Sequence, residues 1–298
     1  MLKTNTAIPS ADHTAVINIV TYSPKETENI KGLIQVCHGM TEYMERYEDF
    51  AKYFTERGYI VFGNDIISHG RSTTSKTESL YFTDWSYVVE DMIRTREYVS
   101  RKFPETDIFL LGFSLGSFIV RTADDLSAYK KEILIGTGYQ SAFLLHILRK
   151  LIVRKFSGKM EFSSDWIKNI AFDNYNKKFP GKPDEYWLLT DDGCRKEYEE
   201  DLFVKKNMTP AFFCEFLKGM ELASKKLTEP NNTIPTIFLY GKDDPVSGFE
   251  KGVRIVYEKY KAANKLTKIQ SFPGTHDILH DKWNKEVFTS VYTFLEED

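Results

Sequence analysis

The chain has 298 residues, 42% of them hydrophobic and 28% charged, with 17 glycines and 10 prolines, the make-up of an ordinary globular protein built as one large domain or as a core carrying an insertion. Its 40 Lys and Arg against 43 Asp and Glu leave a formal net charge of −3, which gives no global drive toward nucleic acid or an anionic membrane. No run approaches the roughly 18 apolar residues of a membrane span. The opening "MLKTNTAIPSADHTAV" lacks the apolar core of a secretory signal, and Cys37, Cys194 and Cys214 are odd in number and without metal-ligand spacing, so free thiols in a cytoplasmic protein are expected.

In chain order, short apolar, β-branched runs alternate with helical patterns. Strands are expected at 14–20, 32–39, 59–65, 107–114, 132–138, 236–244 and 268–274. Several are almost wholly apolar, as in a parallel sheet covered on both faces. Between 46 and 58, Tyr47, Phe50, Ala51 and Phe54 make an i, i+3, i+4, i+7 stripe that Gly58 is placed to stop. Further helices are expected over 85–103, 248–263 and the C-terminal "KEVFTSVYTFLEE". Such alternation predicts an α/β fold, an open and mostly parallel sheet with helices on both faces.

The alternation stops between about 139 and 233. There "FLLHILRKLIVRKF", "SDWIKNIAF", "YWLLTDDGCRKEYEEDLFV" and "TPAFFCEFLKGMELASKKL" all read as helix, too much chain for one crossover connection. The expected organisation is a core over 1–138, a helical cap over 139–233, and a return to the core over 234–298 through "TEPNNTIP". In the first cap helix, Leu144, Leu145, Ile147, Leu148, Leu151 and Ile152 share a side, with Arg149, Lys150, Arg154 and Lys155 toward the other. That pattern suits either packing on a core or peripheral contact with a membrane.

"GFSLGS" puts Ser114 between Gly112 and Gly116, after a strand and before the helical "LGSFIVRTADDL", the setting of a nucleophile held at a sharp turn. A serine hydroxyl needs a base to take its proton and an acid to orient that base. Downstream, "FLYGKDDPV" offers Asp243 and Asp244 at a strand end, and "FPGTHDILH" offers His276 after the last strand. His280 is the rival base. The His pair lacks the glutamate placement of a zinc-hydrolase helix, so no metal is called for. An oxyanion hole is expected where Gly39 lets the chain turn after a strand, leaving the Met40 amide to donate beside that of Leu115. His38, Gly39 and Phe113 are candidate substrate contacts.

Together these residues resemble a known family. "HGMTEYMERY" is similar to the His-Gly-x-x-Glu-His-x-x-Arg-Tyr signature of monoacylglycerol lipases and lysophospholipase-like serine hydrolases of the α/β-hydrolase fold. "NDIISHGRS", with Asp65, His69, Gly70 and Ser72, resembles that family's Asp-x-x-x-His-Gly-x-Ser loop, and "GFSLGS", "GKDDPV" and "GTHDILH" resemble its elbow, acid turn and His turn. The resemblance implies Ser114 as nucleophile, Asp244 as acid, His276 as base, and the Met40 and Leu115 amides as oxyanion donors. It implies an acyl-enzyme acting on a monoacylglycerol, a lysophospholipid or a similar lipid-like ester, with no cofactor. Tyr43, Phe113 and Ser117 depart from the pattern, standing where the family has His, His and Gly. A peptidase or amidase of the prolyl-aminopeptidase type, or a non-catalytic binding protein on a hydrolase fold, are the alternative readings.

Overall fold

A computed structural model of the chain describes residues 1–26, 29–72, 79–205, 207–227 and 234–297. The expected strands form as β2 (Val16–Ser23), β3 (Gly32–Cys37), β4 (Tyr59–Asn64), β5 (Ile108–Phe113), β6 (Lys131–Ile135), β7 (Thr236–Gly241) and β8 (Thr267–Phe272), preceded by an unexpected β1 (Leu2–Pro9). They make one sheet in the order β1-β2-β4-β3-β5-β6-β7-β8, parallel from β4 onward, with β1 and β2 antiparallel at one edge. β1 escaped the sequence pattern because "LKTNTAIP" is an edge strand largely open to solvent, with no apolar side to declare it.

The central strands β3, β4, β5 and β7 are buried along their whole length, and their side chains alternate between two cores. Leu33, Ile60, Phe62 and Leu110 enter the core under α2 (Trp85–Ser100), α3 (Leu115–Thr122) and α9 (Lys251–Ala263). Ile34, Val61, Phe109 and Leu111 enter the one under α1 (Glu48–Thr55) and α10 (Asn284–Glu296). This is the α/β-hydrolase fold: a mostly parallel sheet with helices on both faces, and loops gathered at the carboxyl ends of β3, β5, β7 and β8.

Between β6 and β7 no strand occurs among the described residues. The segment holds α4 (Ala142–Lys155), α5 (Asp165–Lys168), a π-turn (Asn169–Asp173), α6 (Asn174–Asn176), α7 (Asp192–Glu200) and α8 (Pro210–Lys226). The expected return to the sheet, at 228–233, lies outside the described residues. α8 starts where Thr209 accepts the Phe212 amide and Pro210 takes the first helical position.

Two local expectations change. The first half of "YWLLTDDGCRKEYEEDLFV" is not helical: only Asp192–Glu200 winds, capped by the Asp191 carboxylate on the Gly193 and Cys194 amides. In α4, Leu145, Leu148 and Ile152 turn inward, while Leu144, Ile147 and Leu151 lie exposed. The expected single apolar side is therefore two, one packed on α8 and one facing solvent.

Candidate active site

Ser114 sits between the last residue of β5 and the first of α3 with φ 50° and ψ −115°, a backbone conformation that L-residues rarely adopt. Its amide donates to the Ile135 carbonyl at 2.9 Å, and its carbonyl accepts from the Ser117 amide and hydroxyl at 2.9 and 2.6 Å. Ser117 thus uses its hydroxyl to brace the elbow. The flanking glycines are required by contact: a Cβ on Gly112 would press on the Gly116 carbonyl and Ser117 Cα, and one on Gly116 would overlap the Cys37 carbonyl. Because Gly116 lets the end of β3 lie against the start of α3, the loop carrying Met40 comes beside the Ser114–Leu115 turn. Leu115 opens α3, where the first amides have no intrahelical acceptor.

The His276 Nε2 lies 2.8 Å from Ser114 Oγ, and its Nδ1 lies 3.0 Å from Asp244 Oδ1. Asp244 also accepts the Val246 amide at 2.7 Å and is fully buried, whereas Asp243 is exposed. With Nδ1–H donating to Asp244, Nε2 is left as the acceptor facing the serine. Burial favours neutral His276, but the Asp244 charge and hydrogen bond outweigh it and hold its pKa above the ordinary value. Gly136, at φ 60°, leaves room for the ring: a Cβ there would stand 2.9 Å from His276 Cε1. His280 is elsewhere, bound to the Asp277 carboxylate at 2.9 Å and set edge-on to Tyr47.

His38 does not reach the reaction centre. It is fully buried, its Nε2 accepting the Ile66 amide at 2.8 Å and its Nδ1 paired with the Gly39 carbonyl, so the residue read as a substrate contact instead ties the β3 and β4 loops together. Gly39 likewise turns inward, its amide donating to Glu42. Asp65 serves the same end by accepting the Met44 and Arg71 amides, both at 2.8 Å. Phe113, in contrast, does line the cavity over Ser114, with its ring 5.2 Å from that of His276.

That cavity measures about 370 Å³. Its walls are apolar on the side of the inserted helices, with Leu145 and Leu148 from α4, Ala171 and Phe172 from the π-turn, and Phe216 and Met220 from α8. A polar end is built by Thr41, Glu42, Arg46, Tyr198 and Asp277. Here Arg46 pairs with Glu42 at 3.3 Å and Asp277 at 3.7 Å and stacks on the Tyr198 ring, while Thr41 and Tyr198 share a hydrogen bond of 2.5 Å. Glu42, Asp277 and His280 could converge on a cation, but the Arg46 guanidinium already supplies the positive charge between them. Burial pushes the Cys37 thiol up to about 12 and those of Cys194 and Cys214 to about 11, so none competes with the serine.

Sequence reasoning read 186–191 as helix, with "YWLL" as channel lining or cap core, and missed its pairing with the His276 loop. The amides of His276 and Asp277 donate to the Trp187 and Leu188 carbonyls at 3.1 and 2.8 Å, and Thr275 Oγ1 donates to the Tyr186 carbonyl. Asp281 accepts from the amide and hydroxyl of Thr190 and from the Asp191 amide. The segment forms turns, with the Leu188 and Leu189 amides on the Glu185 carbonyl, where a longer helix was expected. The only trace in the sequence was the acids in "HDILHD", which flank the histidines without naming a partner.

The family model described as serine aminopeptidase, S33, matches residues 28–283. The human monoglyceride lipase is 25% identical over 275 residues, covering 90% of this chain and 82% of that protein. A monoglyceride lipase homolog of monkeypox virus is 23% identical, covering 89% of each. Among solved structures, a thermostable carboxyl esterase from Bacillus coagulans in complex with glycerol superposes with a TM-score of 0.87 at 22% identity, covering 99% of this chain and 98% of the other. A soluble variant of monoglyceride lipase from Saccharomyces cerevisiae, bound to a substrate analog, gives 0.76 at 16% identity over 99% and 96%.

Proposed function

Because the chain belongs to the serine aminopeptidase S33 family of α/β-hydrolases and is a monoglyceride lipase-like ester hydrolase, we propose that it cleaves monoacylglycerols or closely similar lipid-like esters through an acyl-enzyme on Ser114. The observation that carries this reading is one cavity with Ser114 and His276 at its floor, apolar walls on one side and a polar end on the other. The acyl chain lies along the wall of α4, the π-turn and α8. The alcohol half lies toward Thr41, Arg46 and Tyr198.

The chemistry follows from the placement of protons. His276 Nε2 takes the hydroxyl proton as Ser114 Oγ bonds to the carbonyl carbon, and the oxyanion is held by the Met40 and Leu115 amides. As the tetrahedral adduct collapses, the C–O bond to the alcohol breaks and His276 returns the proton to the leaving oxygen. Water then gives a proton to His276 and attacks the acyl carbon, and collapse restores the Ser114 hydroxyl and releases the carboxylic acid. Asp244 keeps the imidazole in the required tautomer and stabilises its protonated form.

Aminopeptidase action needs a free carboxylate to take a substrate ammonium. The two acids at the cavity, Glu42 and Asp277, are both engaged by Arg46, which favours an ester with an uncharged alcohol. The test is turnover of monoacylglycerols, lysophospholipids, aryl esters and aminoacyl amides by the purified protein, with a fluorophosphonate probe to report the nucleophile. Monoacylglycerol turnover and an adduct on Ser114 are the expected results. A folded protein that forms no adduct would restore the binding-protein reading.

The exposed side of α4 supports peripheral contact with a lipid surface. Phe143, Leu144, Ile147 and Leu151 are 71%, 63%, 40% and 58% exposed, on the helix whose inner side lines the cavity. Lys150, Arg154 and Lys155 on the same helix suit anionic headgroups.

A further inference from the structure

His276 meets its hydrogen-bonding partners through the edge of its ring: Nε2 faces Ser114 Oγ and Nδ1 faces Asp244. The flat of the ring meets two aromatic side chains. The Phe113 ring centre lies 5.2 Å from that of the imidazole with the planes inclined by 33°, and the Trp187 ring lies at 5.8 Å and 31°. Separations this short at such shallow angles are face contacts rather than edge-on ones.

Both rings are held in place by other contacts. Phe113, buried at the end of β5, is wedged between two glycines: a Cβ on Gly39 would stand 3.0 Å from its Cδ1, and one on Gly136 would stand 3.1 Å from its Cε2. Trp187 is backed by Phe172 and Tyr175 at 6.0 and 4.8 Å, and its carbonyl accepts the His276 amide at 3.1 Å. One ring therefore comes from the sheet and the other from the inserted segment. The charged groups that reach the imidazole are Asp244 from the loop after β7, Asp277 from its own loop and Glu42 from the loop after β3, the last two paired with Arg46.

During the reaction His276 becomes positively charged each time it takes up a proton. A cation against the face of an aromatic ring is attracted by the ring quadrupole, most strongly where water is excluded, and His276 is only 2% exposed. We infer that Phe113 and Trp187 are positioning residues that confine the imidazole to the plane joining Asp244 and Ser114 and stabilise its protonated form through their π-faces. For its effect on rate the inference rests on the ester-hydrolase reading above. Phe113 stands where the family has His and, unlike His, does not titrate beside the base.

The test varies ring electronics at nearly constant shape. Site-specific trifluorophenylalanine at position 113 keeps the ring and weakens its quadrupole, whereas Phe113→Leu and Trp187→Leu remove one ring each. The midpoint of His276 titration is read directly by NMR of its Cε1–H, and kcat/KM for a soluble aryl ester is followed over the same pH range. Each of the three changes should lower both midpoints by about half a pH unit. Each should also lower kcat/KM on the alkaline plateau about three- to tenfold. Unmoved midpoints in all three would overturn the inference. Midpoints that fall in the leucine variants but not with the fluorinated ring would assign the two residues to packing alone and overturn it as well. If the leucine variants unfold, the fluorinated phenylalanine and a trifluorinated tryptophan at position 187 decide the question, because both keep the parent ring shape. Failure of the ester reading is seen separately, as a parent protein that hydrolyses no ester, and the NMR midpoints then decide the stabilisation of the protonated ring by themselves.

Discussion

The backbone N–H of His276 donates to the carbonyl oxygen of Trp187 at 3.1 Å, so the proposed general base hangs from the segment inserted between β6 and β7. The neighbouring bonds, Asp277 to Leu188 and Asp281 to Thr190 and Asp191, extend this into a continuous seam. The stretch 186–191 is therefore tied to the His276 loop.

Asp281→Ala should loosen that seam, because it strips the buried acceptor from the Thr190 amide and hydroxyl and the Asp191 amide. Leaving these donors unpaired should destabilise the fold by about 1–3 kcal/mol in urea unfolding. It should also lower kcat, while the fluorophosphonate adduct on Ser114 still forms. A variant with parent stability and parent kcat would show that the seam does not hold His276.

The strained elbow predicts a difference between two inactivating changes. At φ 50° and ψ −115°, glycine is relaxed and alanine is not. Ser114→Gly should be more stable than Ser114→Ala by about 1 kcal/mol or more in the same denaturant titration. Both should lose hydrolysis by a factor on the order of 10³ or more.

The pH profile follows from the raised His276 pKa. The reaction needs the neutral imidazole, so kcat/KM should climb with pH through a midpoint above the ordinary histidine value of about 6.5. The sign for stability is opposite. A folded pKa above the unfolded one stabilises the protein fully below about pH 6.5, and that contribution is lost as pH rises through the folded value. Asp244→Asn removes the largest of the charges that raise the pKa, leaving burial opposed among the charges only by Asp277 and Glu42. Its acid limb should shift to lower pH, and its rate should fall by a factor on the order of 10⁴ as the tautomer reverses. A parent profile with a midpoint below the ordinary value would contradict the Asp244 pairing.

Arg46→Met tests the polar end of the cavity. It leaves the buried Glu42 and Asp277 without their shared cation, and removing one member of a buried ionic group costs about 3–5 kcal/mol. Calorimetry should show a large drop in Tm. An unchanged Tm would mean that the Gly39 amide, Tyr47 and His280 satisfy the two acids without Arg46.

The exposed side of α4 makes a prediction that does not involve catalysis. Leu144→Asp with Ile147→Asp should reduce co-sedimentation with anionic vesicles several-fold, while hydrolysis of a soluble aryl ester stays close to the parent rate. Equal vesicle binding by parent and variant would remove α4 as a contact surface.

Much of this was legible in the residues because some chemistry is local. Fully buried strands need apolar side chains on both faces, so β3 to β7 declare themselves, and Gly112 is required by contacts with Gly116 and Ser117 that act within five residues. Chain order and strand ends then brought Ser114, an acid turn and His276 into view. What the tertiary structure decided is contact between distant segments. It brings Asp244, rather than the exposed Asp243, to His276, draws His38 inward to hold the β4 loop, and divides the apolar residues of α4 between α8 and solvent. It also folds 186–191 into turns bonded to the His276 loop. None of these leaves a periodic trace, because each depends on a partner tens to hundreds of residues away, chosen by packing and by the need to pair buried polar groups.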